Sequence, residues 1–261
     1  MRRVRLAALL AGVFTLVAGL SAPSPARPAE DGWGTITGVV KLPNAPAAKK
    51  IENVNDPACQ KCDLVQEDVI ASKDGGLRYV VVWLRPDNTD RKSTFPKDKV
   101  HPDLAKAAPK QHVIDQPCCQ FIPRILAARA GDTVDVKNTS PANHNVNWQS
   151  DAESFNVLLP PNQNKVSQPL AAQRAPITIA CNIHPWMKGQ VRVFDHPYFA
   201  VTDATGKFEI KNAPAGKWRI VYAHENGYHQ GAKGALGFPV EVKAGGTTEV
   251  PAISYEVPKG N

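Results

Sequence analysis

Cys181-Asn182-Ile183-His184-Pro185-Trp186-Met187 decides how this chain is read. The stretch offers a thiolate, an imidazole and a thioether, each three residues after the last. Apolar, β-branched runs flank it, Ile177-Thr178-Ile179-Ala180 before and Val191-Arg192-Val193-Phe194 after. It therefore reads as a loop joining two strands. Pro185 stiffens the turn and Gly189 follows Met187. So short a loop can bring its donors together only by turning tightly at the end of a strand.

Two imidazoles, one thiolate and a weak, distant thioether make up the ligand set of a type 1 copper site. The loop supplies three of these four donors. The other imidazole has to come from a neighbouring strand, and the candidate is His144, in Asn143-His144-Asn145-Val146. The expected ligands are His144, Cys181, His184 and Met187. Singly, each is commonplace: a methionine usually packs and an exported cysteine is usually half of a disulfide. Their order along the chain carries the inference. A binuclear copper site would need a second thiolate in the loop. A catalytic copper centre would need a further histidine group, and His101, His112, His196, His224 and His229 form none in the sequence. His224 and His229 are five residues apart, so the two rings would not share the face of a metalloprotease helix, and the segment reads as a strand end and turn. No acid–base pair stands out, so the expectation is a carrier and not an enzyme.

The 261 residues are enough for one large or two modest domains. The 23 prolines and 18 glycines suggest many short strands joined by turns. Residues 1–26 open with Met1-Arg2-Arg3-Val4-Arg5, continue as a short apolar run and reach Ser24-Pro25-Ala26, the pattern of a cleaved export signal. Its removal takes three charges from a formal net charge of +7. The remaining excess gives no reason to invoke nucleic acid. Membrane association would come only through an uncleaved signal. The expected location is periplasmic or secreted.

Export permits disulfides. Of five cysteines, Cys181 is the natural odd one, since a metal ligand must be a free thiolate. Cys59, Cys62, Cys118 and Cys119 read either as two disulfides or as a metal or redox site, adjacent cysteines being awkward for tetrahedral ligation. Four cysteines allow three pairings. Bridges between the two pairs would staple the N-terminal segment to the segment bearing the loop.

Outward from the loop, strands are expected at 35–42, 77–84, 112–115, 121–128, 133–138, 144–148, 190–194 and 198–210, the last with a tight turn, and at 217–223. Residues 91–109 are rich in Lys, Asp and Pro and read as a surface loop or linker. Residues 150–170 also read as loop. No sustained helical period follows residue 26, so the fold class is all-β.

The residues resemble a known family. Phe121-x-Pro123, Ala130-Gly131-Asp132-Thr133-Val134-x-x-x-Asn138, His144-Asn145-Val146 and Cys181-x-x-His184-x-x-Met187 together are similar to a cupredoxin, the type 1 blue-copper family. The short ligand loop is most like the amicyanin branch. The resemblance spans residues 110–196 and implies a Greek-key β-sandwich with one copper ion. It also implies single-electron exchange with a redox donor and acceptor, docking near His184 and Trp186. On it, His184 is the ligand nearest solvent, and the Asn145 side chain ties the ligand strands together.

A second resemblance lies outside that span. Val201-Thr202-Asp203-x-x-Gly206-x-Phe208-x-Ile210 and Pro214-x-Gly216-x-Trp218-x-Ile220 look like the carboxypeptidase regulatory-like β-sandwich, a non-catalytic, prealbumin-like fold. Its first strands would be Gly34–Gly38 and Tyr79–Leu84. Residues 33–90 and 197–258 then form one discontinuous sandwich with 110–196 inserted; tandem domains are the alternative. Function has to be argued from the site. Copper storage or delivery, and a structural adhesion module, are the competing functions.

Overall fold

The computed structural model describes residues 32–256, so the expected signal at 1–26 lies outside the described residues. The chain is all-β. In order it forms β1 (Trp33–Lys41), β2 (Val81–Pro86), the single-turn helix α1 (Pro102–Ala105), β3 (Gln111–Ile114), β4 (Ile125–Arg129) and β5 (Thr133–Lys137). Then come β6 (His144–Gln149), β7 (Ser154–Leu159), β8 (Asn164–Val166), β9 (Ile177–Ala180), β10 (Lys188–Phe194) and β11 (Phe199–Val201). The last strands are β12 (Lys207–Pro214), β13 (Gly216–His224), β14 (Gly227–Tyr228), β15 (Phe238–Val242), β16 (Thr247–Glu249) and β17 (Ile253–Ser254).

Four sheets pack as two sandwiches. One pairs the sheet β4-β10-β9-β6-β7 with the sheet β3-β5-β8. Their inner faces bury Val134 and Val136 against Val146, Trp148, Ile179 and Val191. The other sandwich packs β12-β1-β16 against β11-β2-β13, with β15 also on β13. Its core joins Ile36, Val40 and Phe208 to Leu84, Trp218 and Tyr222. The pairings β1–β12 and β2–β13 are antiparallel and join strands from opposite ends of the chain. β1 alternates half-buried and buried residues over most of its length, the period-2 signature of a strand with one face on a core.

Tyr79, Val81, Ile125 and Phe194 make a smaller cluster where the two sandwiches meet. The Arg124 guanidinium there grips the Glu225 carboxylate, with Nη2–Oε2 at 2.9 Å, and donates to the Lys188 carbonyl at 2.8 Å. Arg124 thus ties the β13–β14 turn to the start of β10, next to the Cys181–Met187 loop.

Several expected boundaries move. The strand expected at 77–84 begins at Val81, because Tyr79 takes φ 68°, a left-handed conformation that breaks an extended run. The strand expected from Phe121 begins at Ile125. Pro123 has no N–H to give a ladder, and Ile122 exchanges backbone hydrogen bonds with Asp115 instead. Residues 150–170 contain two strands, β7 and β8. Both are outermost in their sheets and show mainly exposed or half-exposed residues, so their polar sequence hid them. Residues 91–109 pack more than a surface loop would: they hold α1, bury Phe95 against Trp218 and set Val100 and Leu104 on the same core.

Candidate metal centre

Sheet pairing assembles the site. β9 and β10 form an antiparallel hairpin with Ala180 opposite Lys188, and the loop 181–187 closes it. The Cys181 N–H donates to the Met187 carbonyl at 3.1 Å, and the Met187 N–H to the His184 carbonyl at 2.9 Å. Gly189 is required here: a Cβ would stand 2.6 Å from the Arg124 carbonyl oxygen and 2.9 Å from the Ile179 side chain. β6 pairs with β9 on its other side, which brings His144, the first residue of β6, beside the loop.

Three of the four expected donors converge. His144 Nδ1 and His184 Nδ1 face each other at 2.9 Å, and Cys181 Sγ lies 3.7 Å from His184 Nδ1. His144, Cys181 and His184 are all buried. Met187 is buried as well, in the same core cluster as Cys181. Donors that each stand about 2.0–2.3 Å from one ion lie roughly 3–4 Å apart, so the nitrogen and sulfur separations fit a single small ion.

The protonation states suit a metal. Burial, reinforced by the neighbouring His184, lowers the His144 imidazole to about 4. Burial lowers His184 too, against the opposing pull of Asp56. Both rings are therefore neutral near pH 7, with a lone pair free to ligate. Cys181 is the free cysteine among the described residues, the others forming the bridges Cys59–Cys119 and Cys62–Cys118. Of the two readings of those four residues, the disulfides joining one pair to the other are the ones formed.

Each imidazole also has a partner for its far nitrogen, as a metal-ligating histidine requires. His144 Nε2 meets Ser140 Oγ at 2.9 Å. His184 Nε2 lies 3.6 Å from both Asp56 Oδ2 and Cys59 Sγ. Asn145 braces Cys181 and the loop after it. Its Oδ1 accepts from Asn182 N at 2.6 Å and Ile183 N at 3.3 Å, and its backbone N–H points at Cys181 Sγ at 3.5 Å.

Sequence reasoning missed Asp56 and Ser140, and read Cys59 as a disulfide or a metal or redox residue without its contact to His184. Asp56 and Cys59 reach His184 through a contact more than 120 residues long, made because the bridge to Cys119 folds residues 54–62 over the loop. His184, expected as the ligand nearest solvent, is 3% exposed, against 0% for His144, 2% for Cys181 and 1% for Met187, so all four are buried. Trp186 is half-buried, its indole N–H held by the Cys119 carbonyl at 3.0 Å. Exposure falls instead on Ile183, at 47%. The remaining histidines join no metal-capable group among the described residues, the second such group being Asp56, Cys59 and His184. His224 ends β13 and the turn before β14 follows, as its sequence suggested.

No protein-family model and no curated protein matches this chain. Among solved structures it is similar over part of its length to cupredoxins. A purple cupredoxin from Nitrosopumilus maritimus is 21% identical at TM-score 0.28, over 31% of this chain and 98% of the other. A reduced amicyanin variant is 23% identical at TM-score 0.29, over 34% of this chain and 88% of the other. A copper-containing nitrite reductase from Thermus scotoductus SA-01 is 20% identical at TM-score 0.31, over 39% of this chain and 28% of the other.

Proposed function

We propose that this chain is an exported electron carrier, not an enzyme, holding one type 1 copper ion through His144, Cys181, His184 and Met187. The observation that carries the reading is the convergence of two neutral imidazoles and the free thiol, with Nδ1–Nδ1 at 2.9 Å and Nδ1–Sγ at 3.7 Å. Copper bound to this donor set would supply a one-electron Cu(II)/Cu(I) couple. The residues around the ligands act on orientation and water. Ser140 and Asp56 fix the two rings, Asn145 braces the loop at Cys181, and Trp186 with the 54–62 segment keeps solvent off the His184 ring. A rigid, dry site is what rapid electron exchange needs, because little has to move between oxidation states.

On this reading residues 1–26 direct export to the periplasm or beyond. Residues 110–196 are the cupredoxin domain. Residues 33–90 and 197–258 form the carboxypeptidase regulatory-like sandwich, joined at one side by 91–109. The pairings of β1 with β12 and of β2 with β13 favour insertion over tandem domains. A redox donor and acceptor would dock on the loop around His184 and Trp186, at its exposed Ile183. The covered His184 favours retention of an ion over its delivery to another protein.

The test is addition of Cu(II) to the mature protein, followed by absorption and EPR spectra. An intense thiolate-to-copper band, lost in Cys181→Ser, is expected together with a reversible couple in voltammetry. Absence of the band sinks the proposal. A band without a reversible couple would favour storage or delivery.

A further inference from the structure

Away from the candidate metal centre, a cavity of about 400 Å³ opens between β2, β10, the 91–95 segment and the 172–174 segment. None of the four proposed copper ligands lines it. The volume is that of a small-molecule site. Its charge is one-sided: Arg85, Arg91, Lys92, Arg174 and Arg192 line it, against the single lining carboxylate of Asp195. That carboxylate already accepts from Phe95 N at 3.4 Å.

We infer that this cavity binds an organic anion, a small molecule bearing phosphate or carboxylate groups. Arg192 is the strongest reason. Its guanidinium lies over the Trp83 ring at 5.1 Å and near the Tyr228 ring at 5.9 Å. Its Nη1 donates to the Arg174 carbonyl at 3.1 Å. Among the described residues no carboxylate pairs with it. The aromatic faces and the Arg174 carbonyl hold the guanidinium in place but do not neutralise it, which leaves its charge for an anion in the cavity. Burial also pushes the Arg192 guanidinium down from its ordinary range, against the opposing pull of Tyr228, which hydrogen-bonds to it.

Arg85 has a different part. It donates to the carbonyls of Asn88, Asp90 and Leu236 at 3.2, 2.6 and 2.8 Å. These bonds hold the 88–93 turn as a wall of the cavity. Lys92 and Arg174 stand at the rim, exposed, and their side chains make no hydrogen bond or ion pair among the described residues. Arg192, half-buried, and these two, exposed, line one cavity from three separate segments, an arrangement that favours a molecule with more than one anionic group.

The test is calorimetric titration of the mature, copper-free protein with pyrophosphate and, separately, with citrate. One saturable site with a Kd below about 1 mM is expected for at least one of them; which one binds tells phosphate from carboxylate. Lys92→Ala and Arg174→Ala should each weaken that site by about tenfold, with thermal unfolding unchanged because neither side chain has a fold partner. Arg192→Gln should abolish it. No saturable binding with either anion, or affinities equal to wild type in both rim variants, would overturn the inference.

Discussion

The two disulfides should stabilise the fold by unequal, order-dependent amounts. Cys59–Cys119 closes a loop with a sequence separation of 60, and Cys62–Cys118 one of 56. They are nested, so either alone restrains nearly the same stretch of unfolded chain. Loop-closure entropy puts the first bridge at about 4 kcal/mol. Once one is in place, the second ties off only a ring of about six residues and adds about 2 kcal/mol. The clean perturbation is Cys62→Ala with Cys118→Ala, since both residues are half-exposed and leave no buried cavity, whereas Cys59 and Cys119 are buried. Urea unfolding of this variant under oxidising conditions should show a loss of about 2 kcal/mol from wild type. Adding reductant to the same variant then breaks Cys59–Cys119 with no change of side chain, and a further loss of about 4 kcal/mol is expected. A second step smaller than the first would refute the reasoning, because it would mean that the bridges act through local packing and not through chain closure. The same reductant step should loosen the 54–62 segment over His184, read as faster amide hydrogen exchange across that segment.

Other outcomes can be checked independently. Ser140→Ala removes the partner of His144 Nε2 at 2.9 Å and should lower copper affinity by about ten- to a hundredfold in competition titrations, with the thiolate band retained. Trp148 is fully buried and stacks on Phe155 at 5.6 Å, so Trp148→Ala should cost about 3–5 kcal/mol in urea unfolding; a loss under about 1 kcal/mol would place its ring outside the core. Arg124→Ala would strand the Glu225 carboxylate in a site only 11% exposed and should cost about 3–5 kcal/mol, while Arg124→Ala with Glu225→Gln should recover much of that loss. Acid should destabilise the protein before its carboxylates titrate. Burial lowers His196 to about 3 and His224 to about 4, both from an ordinary value of 6.5. The unfolded chain therefore binds protons first, and stability present above pH 6.5 falls as pH drops toward 4, by about 1.4 kcal/mol per pH unit for each histidine. Urea midpoints that stay flat over that window would contradict the buried neutral rings.

The sequence carried the loop and the fold class, because both are written in short-range pattern. Cys181, His184 and Met187 need only their own spacing and two flanking β-branched runs to be read as residues of one tight turn between strands. His144 was legible from its place before Asn145 and Val146. The half-buried strands β1 and β5 declared themselves through alternation. β7 and β8 did not, since outermost strands turn polar residues to solvent and lose the alternating signal. Tyr79 broke a run that looked continuous, because its side chain does not announce a left-handed backbone.

What tertiary structure alone decided lies in contacts between distant residues. The disulfide bridges bring Asp56 and Cys59 onto His184, so its ring is covered by a segment more than 120 residues away in the chain. The cavity beside Arg192 exists because β2 and β10 approach each other across the junction of the two sandwiches. Spacing along a strand or loop fixes which donors share a turn. Which distant segment then covers them depends on sheet order and cross-links, and those are set by the burial of the whole chain.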